Sequence, residues 1–298
     1  MKIRSNFFNY IQLMKPAIML LVLLTGSAAL VLEKSLLLMP WPVGAIHFLL
    51  VLLGLMLTGG SANAFNMYLE RQIDGRMART KDRRPLPLRK IRPQDALIFA
   101  IIIGALGVLL FVIFFNLLSA LLSLATILFY SFFYTIFLKP RTPYNIVVGG
   151  IAGAMAPIIG WAAVSGSFAV TPFILFAIIF LWTPPHFWAL AIHHEDDYRL
   201  VKYPMMPISR GVKGSRLQIL FYVIGLVLVS GLCLRVGSGS VYAILAVIMG
   251  GIFVLKSAQF VVSKSDDKAY GLFRFSIAYL LVLFSGLIVD GTLKFFHN

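Results

Sequence analysis

Apolar positions along this chain come neither alternately nor in one-sided helical stripes, but in long runs. Nine such runs, roughly 16–34, 43–66, 95–115, 117–138, 145–165, 169–193, 217–236, 240–262 and 272–293, take up most of the 298 residues. Each is near the ~20 residues a helix needs to cross the hydrocarbon core of a bilayer. Lipid offers the backbone no hydrogen-bond partners, so segments of this kind must satisfy their own amides and carbonyls, as helices do. The pattern therefore predicts an all-α integral membrane protein with nine transmembrane helices, forming a single domain over 1–298. Runs three and four almost fuse at Asn116, where a tight hairpin is expected.

The polar interruptions carry the chemistry. Run two ends in Asn66-Met-Tyr-Leu-Glu70-Arg-Gln-Ile-Asp74. Asn66, Glu70 and Asp74 recur at i, i+4 and i+8, with Asn63 a turn earlier, so they line one side of a helix. They span about 12 Å of helical rise. Carboxylates at the edge of hydrocarbon are expensive and mark a task. Oxygen donors in a row suit Mg²⁺, which binds through one or two carboxylates plus substrate phosphates. A loop rich in base follows at once, with Arg76, Arg79, Lys81, Arg83 and Arg84 before Pro85 and Pro87. Arginine forks match phosphate oxygens. A cation and a phosphate site together at a membrane surface point to a lipid-like diphosphate.

A second polar helix end closes run six, in Pro184-Pro185-His186 through His193-His194-Glu195-Asp196-Asp197-Tyr198. Prolines inside a membrane segment kink it and free backbone groups. A helix restarting there would carry His186, His193 and Asp197 in one narrow stripe. Their spacing fits no common zinc motif. No glycine-rich phosphate loop, Ser-His-Asp set or Cys-x-x-Cys pair occurs, so nucleotide hydrolysis has no support.

Composition agrees with the membrane reading: 60% of residues are hydrophobic and 12% charged, about half the charge of a soluble domain. The net charge of +15 suits nucleic acid in a soluble protein, but here its distribution decides. Counting residues at run edges with the adjoining region, Lys and Arg on the N-terminal side of the membrane number 22, against three on the other, with Lys256 deeper inside run eight. Basic loops stay in the cytoplasm, so the N-terminus is expected inside and the C-terminus outside. Lys2, Arg4 and Lys15 before the first run imitate a signal peptide; with no small-residue cleavage site, the run is read as a retained helix. The single cysteine, Cys233, permits no intrachain disulfide.

Three stretches resemble the UbiA superfamily of intramembrane prenyltransferases, over nearly the whole chain. They are Asn66-Met-Tyr through Asp74 to Arg79-Thr80-Lys81; Lys139-Pro-Arg-Thr-Pro-Tyr-Asn145 to Gly160-Trp161; and Trp182-Thr-Pro-Pro-His-Phe-Trp through Asp197-Tyr198 to Pro204-Met-Met-Pro207. The Pro-His-Phe-Trp segment is similar to the haem-directed branch rather than to the quinone or chlorophyll branches. The resemblance implies a central cavity with two acidic motifs at its cytoplasmic mouth, in the inner membrane of a bacterium with a periplasmic C-terminus. It implies farnesyl diphosphate, haem B and Mg²⁺, with a hydroxyethylfarnesyl group added at a haem vinyl to give haem O. Membrane lipid and terminal oxidase assembly partners complete the expected partners. The implied metal set is Asn66, Glu70, Asp74 and Asp197, with His186 joining them as a catalytic residue that orients haem, handles a proton or ligates iron. Arg76, Arg79, Lys81 and either Arg83 or Arg84 would hold diphosphate. His193, Lys139, Arg141 and Asn145 fall to the haem or second-motif region. Glu70 stands where the family usually has Asp, Gln72 replaces a usual acid, and the Arg83-Arg84-Pro85 spacing is one residue longer than usual. A quinone precursor is the alternative acceptor, and a haem or lipid carrier is the non-enzymatic alternative.

Overall fold

We describe a computed structural model covering residues 7–263 and 265–297; Lys2, Arg4 and Lys264, three of the residues behind the expected orientation, lie outside it. Its described residues contain nine helices long and apolar enough to cross a membrane. A short surface helix, α1 (Phe7–Leu13), precedes the first span, α2 (Pro16–Glu33). One turn, α3 (Ser35–Leu38), leads into α4 (Val43–Asp74), the longest span. The basic loop holds only α5 (Ala78–Lys81) before α6 (Pro93–Phe114). Span four is α7 (Leu117–Leu128) continued by a π-helical segment, Phe129–Leu138. Span five is two half-helices, α8 (Asn145–Gly153) and α9 (Ala156–Ser165). Then come α10 (Val170–His193), α11 (Glu195–Leu200), α12 (Met206–Leu232), α13 (Ser240–Val262) and α14 (Lys268–His297).

Eight of the nine expected runs match a span to within a few residues at both ends or are extended by polar residues. Run seven differs: α12 starts at Met206, eleven residues before the apolar run at 217. The cause is Gly211, whose φ of 76° joins a polar helical stretch to the apolar span across a kink; that left-handed backbone favours glycine. The hairpin expected at Asn116 is present. The Asn116 side chain accepts from the Ser119 amide at 2.9 Å, capping α7. Its NH₂ donates to the Ala162 and Ala163 carbonyls, tying the hairpin to α9.

Neighbouring spans pack in sequence order, and α14 returns against α2, so the bundle closes on itself. Close approach of α4 and α6 depends on Gly107: a Cβ there would meet Thr58 and Leu57 at 2.7–3.0 Å. The cores fall into two main layers, one along α10, α12, α13 and α14 (Trp188, Tyr242, Phe253, Phe284) and one among α2, α4 and α9 (Leu30, Leu55, Ile159). Inside the ring, a cavity of about 50 Å³ is bounded by α2, α4, α7, α8 and α9. Two smaller clusters sit at the loop-rich end. Leu13, Met67, Leu86 and Ile91 pin α1 and the far end of the basic loop to α4. Met77, Ile146, Tyr198 and Tyr203 tie the near end of that loop to α8 and α11. These clusters carry the two polar helix ends to one place.

Candidate functional site

The acidic end of α4 points inward. Asn63, Asn66, Glu70 and Asp74 are all buried, as their shared helical face requires. Burying such groups is tolerable only with partners, and each has one. Lys15 Nζ donates to Asn66 Oδ1 at 2.7 Å, and Asn66 Nδ2 donates to Thr135 Oγ1 at 3.1 Å. Lys139 pairs with Glu70, and Arg84 with Asp74. Tyr203 lies with its hydroxyl 3.5 Å from Glu70. Asn63 donates to the Met14 carbonyl at 3.1 Å, fastening the turn that bears Lys15.

Local backbone geometry explains these approaches. Lys15 stands between α1 and α2 with φ 55°, ψ 69°. The residue before a proline is disfavoured in the right-handed helical region, and this left-handed turn sends Nζ back to α4. The π winding of 129–138 widens the helix, so Thr135 bonds the Tyr130 carbonyl five residues back at 2.8 Å. Thr135 thereby reaches Asn66, and Lys139, just past the segment's end, reaches Glu70. Insertions of π geometry recur at functional sites.

The basic loop is held from the other side. Asp197, buried at the first turns of α11, accepts from the Ala78 amide at 2.7 Å and the Arg79 amide at 3.1 Å. Thr80 Oγ1 donates to the Asp74 carbonyl at 2.7 Å. Arg79 Nη2 reaches the Tyr198 hydroxyl at 3.4 Å, while its Nε is buried without a partner. That leaves a donor available for an anion. The structure separates the two candidate arginines: Arg84 faces the acids, and Arg83 is exposed. Arg76 and Lys81 are exposed as well. Arg141 turns away, donating to the Ile136 and Phe137 carbonyls. Asn145 is buried at the start of α8, with Nδ2 on the Thr142 carbonyl at 2.6 Å and Oδ1 unpartnered.

The expected stripe of His186, His193 and Asp197 on one helix does not form. The helix runs through Pro184 and Pro185 without restarting and ends at His193, and Asp197 sits on α11 beyond a break at His194. His193 is exposed and stacks on Tyr270, with ring centroids 4.6 Å apart. His186 is buried against α14 instead, 2.7 Å from Ser276 Oγ. Asp197 also stands apart from the expected metal set. Both its oxygens engage loop amides, and among the described residues no three His, Cys, Asp or Glu side chains are grouped to hold a metal. The row of Asn66, Glu70 and Asp74 does fit Mg²⁺ by donor chemistry, since that ion takes few protein ligands and completes its shell with water and phosphate.

Charge crowding shapes the residues around the row. Lys15 is held well below the usual lysine pKa by burial first and by Arg84 next. Burial, followed by Glu70, pushes the Tyr203 hydroxyl up. Burial and then Arg79 push His194 down. Sequence reading missed Lys15, Thr135 and Tyr203 as members of this site. Only Lys15 had a visible signal, a lysine directly before the proline that opens an apolar run.

The sequence profile of the UbiA prenyltransferase family matches residues 17–281. A protoheme IX farnesyltransferase of Gloeothece citriformis is 42% identical over 95% of this chain and 86% of its own. One from Vibrio vulnificus is 41% identical over 97% of this chain and 95% of its own. Among solved structures, a digeranylgeranylglyceryl phosphate synthase superposes with a TM-score of 0.75 at 21% identity, over 95% of this chain and 97% of its own. A UbiA homologue from Archaeoglobus fulgidus, bound to GPP and Mg²⁺, superposes with a TM-score of 0.59 at 13% identity, over 94% of this chain and 99% of its own.

Proposed function

The chain belongs to the UbiA prenyltransferase family, and we infer from its kinship and its site that it transfers a farnesyl group from farnesyl diphosphate to haem B, giving haem O. The 42% identity to a protoheme IX farnesyltransferase over 95% of the chain carries the choice of acceptor. The buried Asn66–Glu70–Asp74 row with its three basic partners carries the choice of leaving group.

Asn66, Glu70 and Asp74 would hold Mg²⁺ as it arrives with the diphosphate. A Mg²⁺ held there would supply charge neutralisation for the departing diphosphate. The chain's own residues do the rest. Arg84 and Lys139, which lie on the acids, would hold phosphate oxygens beside the row. Arg79 adds its unpartnered Nε, and Lys15 closes the same side. Fixed positive groups aimed at developing negative charge lower the barrier most where water is excluded. Asp197 acts from behind, holding the Ala78–Arg79 backbone so that Arg79 and Arg84 stay over the row. The surrounding apolar bundle keeps water from the allylic cation. As the C–O bond to diphosphate breaks, the outer vinyl carbon of haem B bonds to C1 of the farnesyl cation. Water adds to the cation left on the ring-side carbon, and its proton passes to the released diphosphate or solvent.

The loops bearing this site are the basic ones, which supports a diphosphate site and N-terminus at the cytoplasmic face and a C-terminus across the membrane. In bacteria that membrane is the inner one.

The test is to incubate purified protein with haem B, farnesyl diphosphate and Mg²⁺ and to analyse the haem by mass spectrometry. A product heavier by the hydroxyethylfarnesyl change, lost in Asp74→Asn and with chelator, is expected. Diphosphate release with an aromatic acid but not with haem would replace the acceptor. Haem or lipid binding with no diphosphate release would establish a carrier.

A further inference from the structure

His186 lies in α10, seven residues before the helix end at His193, about 10 Å of rise into the membrane. Its ring sits among three aromatic rings. Trp182 stacks at 4.2 Å between centroids and 22°, and Phe273 lies at 4.6 Å and 32°. Phe187 meets it edge-on at 5.2 Å. The two ring nitrogens are treated differently.

Nδ1 is 2.7 Å from Ser276 Oγ, and that same Oγ is 2.6 Å from the Phe273 carbonyl. A carbonyl only accepts, so the single hydroxyl proton of Ser276 goes to Phe273. Oγ is then an acceptor toward the imidazole, and the proton between them belongs to Nδ1. Ser276 therefore selects the Nδ1–H tautomer and leaves the lone pair on Nε2. Nothing in the described residues hydrogen-bonds Nε2, and it is not among the sealed side-chain atoms that lack partners. Trp182 Nε1 donates to the Ser276 carbonyl at 2.7 Å, so the stacking ring and the serine are locked together.

A neutral imidazole with one nitrogen bonded behind it and the other free of hydrogen bonds is the arrangement that metal-ligating histidines use. We propose that Nε2 of His186, freed by Ser276, ligates the iron of the haem substrate, and that this bond sets where the reacting vinyl lies. The proposal rests on the haem-prenylation reading. The only bond formed is from the Nε2 lone pair to iron, displacing a weak axial ligand such as water. Ser276 is a positioning residue. Walls of Trp182 and Phe273 keep the imidazole from rotating while a porphyrin is seated across its edge.

The test uses the full-length protein in detergent with ferric haem B and no farnesyl diphosphate. The wild type is expected to show the absorption and electron paramagnetic resonance of an imidazole-ligated haem. His186→Phe, which keeps an aromatic ring between Trp182 and Phe273, is expected to lose that signature while still binding farnesyl diphosphate. In His186→Gly, added imidazole is expected to restore it. Ser276→Ala is expected to weaken haem about 10- to 100-fold, the usual effect of losing the group behind a ligating histidine. Persistence of the signature in His186→Phe would overturn the proposal. So would a wild type that converts haem B to product without ever showing it, which leaves the prenylation reading intact. A wild type that binds farnesyl diphosphate but neither binds nor converts haem would overturn the acceptor reading, and this proposal with it.

Discussion

Asp197→Ala is the most informative single change, because the structure gives this residue a role distinct from holding metal. Its two carboxylate oxygens accept from the Ala78 and Arg79 amides at 2.7 and 3.1 Å, and the side chain is buried. Hydrogen bonds to a charged group contribute about 1.5–3 kcal/mol each. The freed amides recover part of this from water, so a net loss of ~3 kcal/mol for the pair is a reasonable estimate at the lower end of that range. At about 1.4 kcal/mol per decade, opening of the loop should become on the order of 100-fold more frequent. Hydrogen–deuterium exchange of the 76–84 peptide, measured in nanodiscs without Mg²⁺ or substrate, reads this directly. Asp197→Asn keeps one acceptor and turns an NH₂ toward the second amide, so it should lie between. Exchange in the spans themselves should keep its native pattern, since Met77, Tyr198 and Tyr203 still pack together. Unchanged exchange at 76–84, together with lost activity, would refute the anchoring argument and return Asp197 to the metal set.

Three further outcomes are expected. Lys139→Met leaves Glu70 buried without its cation, which costs about 3–5 kcal/mol; adding Glu70→Leu should recover most of the thermal stability in detergent, even though activity is lost. Arg84→Ala should weaken farnesyl diphosphate binding at least about tenfold, the effect of losing one charged hydrogen bond, whereas Arg83→Ala, on an exposed side chain, should change it little. Lys15 is pushed down in the free protein by burial and Arg84; an arriving diphosphate restores its affinity for a proton, so the complex binds more protons than its parts. Affinity should then fall as pH rises through the depressed Lys15 pKa, and the slope should flatten in Lys15→Gln when binding is titrated across pH.

The membrane class, the nine spans and the inward row on α4 were legible in the sequence, because each depends on local pattern. A run of twenty apolar residues crosses a bilayer whatever surrounds it, and Asn66, Glu70 and Asp74 share a face by helical period alone. The basic loop and the hairpin at Asn116 were legible for the same reason. What pairs with the row was not. Lys15 lies 51 residues from Asn66 and Lys139 lies 69 from Glu70, and no periodicity links them. Their meeting depends on a left-handed turn before Pro16, a π-wound end to span four, and the closing of α14 onto α2. Arg83 and Arg84 are adjacent and chemically equal; only the path of the loop, pinned by Asp197 and by Leu86 and Ile91, turns one inward. His186 was marked by its prolines, but the stripe expected with His193 and Asp197 assumed one continuous helix, and the break at His194 ended it. Its partner Ser276, 90 residues on, is one of many serines in apolar runs. The sequence by itself determined which groups are buried in lipid at a cost. The tertiary structure alone decided how those costs are offset, since opposite charges and hydrogen-bond partners come together only when distant helices pack.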